Sequence, residues 1–400
     1  MPAAIIVVLL SLLLGIQPIT TDVYLPALPS IQDALEASMS QVQLTFAGLL
    51  LAFGISQLVW GPLSDRLGRR PVLLWGLGLY TVASAGTVLA PDMGWLIAWR
   101  VLQGVAMGAA VMCARAIVRD LYQPLEGARM MSKGLSGLGI IAVLCAPLGS
   151  LITELFGWRA ALAVPSLFGA CTLALLTLRF QETLAVRNPD ALRPGILLRS
   201  WTSIARHPTF IAYSLLSTAS YLGLFTFLAT SSFVLLRVLG VSKLSYGAIM
   251  ASVSLVYIIG TFICRRLLAH WGVRRTVALA GGITFFAGLL VCTLALVGWD
   301  QPWYGAWALV LPQAIFMLAH GVHQPCGQSG AVGPFPHMAG AASALNGFCM
   351  MVVAFPMGLW IGRAMDGTPR PMAFGMAFWC AVIAITAWTL VQKYGEPERR

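Results

Sequence analysis

Apolar runs of about 20 residues, each long enough to cross roughly 30 Å of hydrocarbon as a helix, follow one another along the whole chain. Twelve can be drawn, near 4–28, 41–63, 71–90, 94–117, 130–153, 158–180, 208–234, 245–267, 275–297, 303–326, 338–362 and 371–393. Dividing 400 residues among twelve spans leaves short loops and little room for a soluble catalytic domain. Hydrophobic residues make up 58% and charged residues only 10%, whereas soluble domains run near a quarter charged. A water-soluble fold has too little interior volume to hide that much apolar surface. A bilayer must be the solvent, and the expected fold class is an all-α integral membrane bundle.

The opening AAIIVVLLSLLLG lacks a basic stretch before it, and no A-x-A-like cleavage site follows before Asp22. It is read as the first span rather than as a secretory signal. The eight cysteines lie in or beside apolar runs without a C-x-x-C pair. They are expected to be buried small hydrophobes, neither a disulfide framework nor a metal site.

The net charge of +11 is distributed by topology. With the N-terminus inside, the inward loops hold nineteen of the 25 basic residues, among them Arg66, Arg69, Arg70, Arg119, Arg265, Arg274, Lys393, Arg399 and Arg400. The outward loops hold five, and Arg100 lies within a span. Basic residues collect on the cytoplasmic side, so both termini are expected in the cytoplasm of a bacterial inner membrane. Nucleic acid is not an expected partner.

The longest polar stretch, 181–207, carries Pro189 and Pro194 and follows six spans. Two six-helix halves, 1–180 and 208–400, are expected around this cytoplasmic linker. The halves resemble each other: LTFAGLLLAFGISQLVWGPLSDRLGRR in the first answers LSYGAIMASVSLVYIIGTFICRRLLAHWGVRR in the second. Such parallel repeats belong to a transporter architecture with its binding site between the halves near the midplane. Chance likeness between apolar helices is the competing explanation.

The sharpest motif runs from Gly61 through Asp65, Arg66, Gly68, Arg69 and Arg70, between spans two and three. Gly61 allows a second helix to pack closely. Asp65, placed just before span three, is suited to accept from free backbone N–H groups at a helix start. Arg69 is then within reach of Asp120 at the inner end of span four. Gly61, Asp65, Gly68, Arg69 and Asp120 together form an expected conformational latch. The plainer alternative is a loop made basic only for topology.

At these residues the chain resembles the major facilitator superfamily, whose loop signature G-x-x-x-D-R-x-G-R-R is matched in full. Three further segments resemble twelve-helix drug:proton antiporters of the bicyclomycin-resistance (Bcr/CflA) type. They are Thr20-Thr21-Asp22-Val23-Tyr24-Leu25-Pro26-Ala27-Leu28-Pro29, Arg100-Val101-Leu102-Gln103-Gly104, and Ala339-Gly340-Ala341-Ala342-Ser343-Ala344-Leu345. The resemblance covers essentially the whole chain and implies a 6+6 bundle with a central cavity between the two halves. The antiporter pattern G-x-x-x-G-P-x-x-G-G of span five departs here: Cys145-Ala146-Pro147-Leu148-Gly149-Ser150 keeps small residues but loses two glycines.

Ionisable groups inside a span are costly and point to function. Among the 14 acids, Asp22 alone falls within a predicted span, and Arg100 is the one basic residue clearly inside another. Counting about 1.5 Å per residue from the outer ends places both at similar depth, so a pair is expected. Burial and a neighbouring cation act in opposite senses on a carboxyl group, which suits Asp22 to proton coupling with Arg100 as its partner. A static ion pair bracing the helices is the alternative. Gln17, Tyr24, Gln103, Tyr221, Asn346 and His320 are expected to line a substrate cavity, although each alone is more often a helix–helix hydrogen-bond partner. His320, His323 and Cys326 have metal-like spacing but no carboxylate nearby, and helix packing is the better reading.

The function expected is proton-coupled efflux of small amphipathic molecules or drugs by alternating access, conferring antibiotic resistance. The alternative is a carrier of the same superfamily for an endogenous metabolite, such as a sugar or amino-acid derivative. No H-E-x-x-H, G-x-S-x-G or P-loop motif is present, so an enzyme is not expected. Small molecules, protons and the bilayer are the expected partners, with no cofactor or metal, and the chain is expected to act as a monomer.

Overall fold

The computed structural model describes residues 2–122 and 124–395, so Arg399 and Arg400 of the expected inward charge lie outside the described residues. The chain forms α1 (Ala3–Thr21), α2 (Leu28–Ala34), α3 (Met39–Leu67), α4 (Arg69–Val88), α5 (Met93–Leu121), α6 (Pro124–Phe156) and α7 (Trp158–Arg179). It continues with α8 (Pro194–Ala205), α9 (Pro208–Ser232), α10 (Lys243–Val297), α11 (Trp307–Val332), α12 (Ala339–Ala364), α13 (Arg370–Trp388) and α14 (Leu390–Tyr394). Each expected span overlaps one of these helices, and among the described residues ten helices are long and apolar enough to cross a membrane by length and composition. Spans eight and nine both fall in α10, whose helical backbone is broken only at Gly272 (φ 69°, ψ 179°).

Local chemistry sets the boundaries. Ser38 begins α3 with a reciprocal capping box to Gln41, Asp92 caps α5 through the Trp95 N–H, and Pro208 opens α9, where its missing N–H costs nothing. The first span is not one continuous helix. α1 ends at Thr21, and a short 3-10 turn over Leu25–Ala27 leads into α2. Pro26 has no N–H to offer the Asp22 carbonyl, and Pro29 follows, so the regular ladder cannot run through. Asp22 thus sits at a break in the span rather than in mid-helix.

Two compact units result, Met1–Ser200 and Trp201–Arg400. In the first, α1 packs on α6, α3 on α5, and α4 on both α5 and α7. The second repeats the pattern: α9 packs on α12, the first arm of α10 on α11 through Gly260 and Gly321, and its second arm on α13 through Gly281 and Gly288. The repeated loop glycines also match in conformation. Gly68 (φ 108°) joins α3 to α4 as Gly272 joins the arms of α10, in a backbone region almost confined to glycine.

Burial follows position in the bundle. The apolar window of α5 is 78% buried and that of α6 only 22%, so α5 is central and α6 peripheral. Outward side chains such as Trp75, Leu89 and Ile140 are large, apolar and exposed; hydrocarbon rather than water suits that surface. Small residues set the α1–α6 contact: a Cβ on Gly149 would lie 2.5 Å from the Val23 carbonyl oxygen, and Gly137 meets Ser11. The degenerate motif of span five therefore keeps the close packing of its small residues.

Candidate functional site: a buried arginine network and a charged cluster

Arg100 is fully buried in the first unit. From α5 its Nη1 donates to the Thr20 carbonyl (3.1 Å) and to Gln103 Oε1 (2.8 Å), and its guanidinium carbon lies 4.0 Å from the centre of the Tyr24 ring. Hydroxyls extend the network. Gln103 donates to Ser84 (2.7 Å), Tyr80 meets Thr20 (2.6 Å), and Tyr24 meets Thr45 (2.6 Å). Four helices thus converge on one cation. Its Nε and Nη2 are buried without a protein hydrogen-bond partner, an expensive condition for a cation.

The structure does not bring Asp22 to Arg100. Asp22 is half-buried, and its carboxylate accepts from the Thr21 hydroxyl (2.7 Å). The depth estimate fixed height along the helices but not direction. Two residues beyond Thr20 is about 200° around a helix, so the face that gives Arg100 the Thr20 carbonyl turns Asp22 away. The next residue, Val23, packs its backbone on Gly149 of α6. Gln17 lies one turn earlier, half-buried, its carbonyl accepting from Thr21.

A second cluster forms where α3, α4 and α5 end. Arg69 donates through Nη1 to Asp65 (2.6 Å) and Ser64 (2.8 Å), and through Nε and Nη2 to Asp120 (2.7 and 3.2 Å). This fork geometry is the strong form of the carboxylate–arginine pair. Arg119 adds a longer contact to Asp65 (3.5 Å). Gly61 lies on α3 against the Met112 methyl of α5.

The expected capping role of Asp65 is not what the structure shows. Asp65 still belongs to α3 and faces the guanidinium. The free N–H groups of Arg69 and Arg70 at the start of α4 go instead to Glu182 (2.9 and 3.0 Å), just beyond α7. The N–H groups of Thr183 and Leu184 bond the same carboxylate. Burial works against this charge, but the four backbone donors outweigh it and hold Glu182 below its usual carboxylate range.

In the second unit the expected Tyr221 lies on α9, and Asn346 of α12 and His320 of α11 each bond a serine of that helix. Ser217 donates to Asn346 (3.0 Å), and Ser220 bonds His320 Nδ1 (2.8 Å). Tyr221 stacks beside Phe225, and His320 lies between the rings of Phe316 and Tyr257. His323 turns to Thr284 on α10 (3.1 Å), so the two imidazoles diverge. Among the described residues no group of three or more His, Cys, Asp or Glu is placed to hold a metal.

The model of the Major Facilitator Superfamily matches residues 10–357. The chain belongs to the major facilitator superfamily. It is 28% identical to a bicyclomycin resistance protein homolog of Haemophilus influenzae over 96% of this chain and 95% of that one. It is 31% identical to multidrug resistance protein D of Escherichia coli, over 86% and 84%. The fold matches the Escherichia coli xylose transporter XylE in a partially occluded inward-open conformation, with a TM-score of 0.75 at 14% identity, covering 100% of this chain and 99% of that one. It also matches the human organic anion transporter MFSD10 with a TM-score of 0.66 at 20% identity, over 98% and 100%. As a major facilitator, the protein is a multi-pass membrane transporter for small molecules and not an enzyme.

Sequence reading missed Thr20, Thr45, Tyr80 and Ser84 around Arg100, and Glu182 below Gly68. Hydroxyls in a span carry little signal, because they usually bond their own helix. Ser84 bonds the Tyr80 carbonyl as well as Gln103.

Proposed function

We propose that this superfamily member exports small amphipathic drugs across the bacterial inner membrane in exchange for protons, by alternating access, with both termini in the cytoplasm. Asp22 is the proton carrier and Arg100 the cation that receives its carboxylate in the other state of the cycle. The observation that supports this most is the buried Arg100 guanidinium with two unpartnered donors, on the helix that packs beside α1. A half-buried carboxylate at a broken turn of α1 is the nearest chemical complement the first span offers. Binding of Asp22 would satisfy those donors and favour release of its proton, while withdrawal would favour uptake. A cationic drug competing for the same carboxylate gives exchange without a further device. The Asp65–Arg69–Asp120 cluster acts as the cytoplasmic latch that holds one state.

Drug export is favoured over metabolite transport because the full-length relatives are named for bicyclomycin and multidrug resistance, whereas likeness to the xylose transporter extends to fold alone. Resistance profiling of a pump-deficient host, combined with efflux from energised vesicles, tests the reading. Expression should raise tolerance to lipophilic drugs, and collapsing the pH gradient should stop efflux. Unchanged tolerance together with gradient-driven sugar or amino-acid uptake would overturn it.

A further inference from the structure

We infer that Glu182 is a positioning residue of the latch, through which the start of the inter-unit linker holds Arg69 in place. The inference rests on the latch in the function proposed above and extends it to a segment outside the membrane spans.

The segment just after α7 folds back onto the α3–α4 joint through several independent contacts. Besides the Glu182 carboxylate on the Arg69 and Arg70 N–H groups, the Asn188 N–H donates to the Asp65 carbonyl (3.0 Å). The Thr183 hydroxyl donates to Asp120 Oδ2 (3.3 Å), the oxygen that also receives Arg69 Nε. Arg70 returns the contact, donating to the Phe180 carbonyl (3.0 Å) at the end of α7. The Gly68 joint makes room: a Cβ there would collide with the Glu182 carboxylate.

A negative group at the first N–H groups of a helix stabilises that turn. Here that turn carries Arg69 itself, so Glu182 fixes the backbone from which the guanidinium reaches Asp65 and Asp120. Loss of the strap leaves the guanidinium chemistry intact but loosens its anchor. Opening the latch and releasing the strap then become one event.

Cys113 supplies a native reporter. It is fully buried on α5, two turns before Asp120 and next to Met112, whose methyl meets Gly61 of α3. Labelling by a membrane-permeant maleimide, followed peptide by peptide, reads opening of the cluster without any need for transport. Cys145 and Cys380, buried elsewhere, report general loosening. In Glu182→Gln, Cys113 labelling should accelerate about twofold to fivefold, the range that a carboxylate at a helix start commands, while Cys145 and Cys380 stay protected. Glu182→Asp should recover part of the protection. Combined with Asp120→Asn, which opens the same cluster, Glu182→Gln should add little more. Unchanged Cys113 labelling in Glu182→Gln and Glu182→Ala, or equal acceleration at all three cysteines, would overturn the inference. Efflux measured on the same samples separates the two proposals. A parent protein that moves no drug, with Cys113 exposed by Glu182→Gln, sinks the antiport reading and leaves the strap standing.

Discussion

The guanidinium carbon of Arg100 lies 4.0 Å from the centre of the ring of Tyr24, a residue two beyond Asp22 in the same broken stretch of the first span. The ring occupies one face of the cation, and Thr20 and Gln103 take one of its nitrogens. Any rearrangement that brings Asp22 inward must therefore pass through the Tyr24 segment, which ties proton movement to the shape of α1. Asp22→Asn should abolish pH-gradient-driven efflux and remove the proton released on drug binding in detergent. Arg100→Lys should also be severe, because a lysine cannot keep the contact with the Tyr24 ring, the bonds to Thr20 and Gln103 and two further donors together. Parent-like proton release from Asp22→Asn protein would place the carrier elsewhere, with His320 and His323 the next candidates.

The two carboxylates of the latch should not be equal. Asp120 takes two nitrogens of Arg69 and its side chain is 11% exposed, while Asp65 takes one nitrogen of Arg69 and a longer contact from the exposed Arg119, and is 39% exposed. Breaking a buried pair by removing one partner costs roughly 3–5 kcal/mol, against about 1 kcal/mol or less in the open. Asp120→Asn should therefore slow turnover more than Asp65→Asn, with membrane expression of both near the parent level. Equal turnover in both variants and the parent, at matched protein amounts, would remove the latch from the mechanism.

Gly68 offers a stability test. Its φ of 108° and ψ of 161° lie in a region that costs other residues about 1–3 kcal/mol. Gly68→Ala should lower the thermal midpoint in detergent. Gly78, within α4, has open space where a Cβ would go, so Gly78→Ala should leave the midpoint unchanged or raise it slightly. Because the backbone strain is independent of the Glu182 collision, Glu182→Ala should not rescue Gly68→Ala fully.

The sign of the pH effect at the strap follows from the lowered pKa of Glu182. A carboxyl group held below its unfolded value contributes stability above that value, and the contribution is lost as pH falls through the folded one. Protection of Cys113 should hold at neutral pH and fade only in acid, below the ordinary carboxyl value of 4.5. An open cleft lined by Arg70, Thr177, Phe180, Gln181 and Glu182 gives protons access. Glu182→Gln protein should show less protection at neutral pH and a flatter acid response.

Orientation is checked with reporter fusions. The charge partition predicts a cytoplasmic readout both in the linker and after Lys393, and a periplasmic one in the loop that contains Asp300. A periplasmic signal after Lys393 would reverse the orientation or change the span count.

The spans were legible because hydrocarbon imposes length and composition directly on sequence, and the glycine joints because few other residues adopt that backbone. The Arg69–Asp120 contact was legible as two opposite charges at neighbouring helix ends. Glu182 was not, since its partners are backbone N–H groups that carry no letter. The expected Asp22–Arg100 pair differed for a geometric reason: rise per residue gives depth, but a break at Asp22 and the turn of the helix decide direction. The network around Arg100 was hidden in threonine, serine and tyrosine, which are compatible with lipid-buried helices whether or not they reach a neighbour.

The Asn188 bond to the Asp65 carbonyl shortens the effective tether between the two units. Glu182, Thr183 and Asn188 are already committed to the first unit, and α8 begins at Pro194. Between Asn188 and α8 the chain bonds only to itself, Ala191 N–H to the Asn188 carbonyl and Arg193 N–H to the Asp190 carbonyl, over a shorter stretch than the polar composition of 181–207 implies. Polypeptide inserted on either side of Asn188 should then have opposite fates. Placed before it, an insertion pries the strap from its seat; placed after Pro189, it merely lengthens the leash, at an entropic cost that grows only slowly with length.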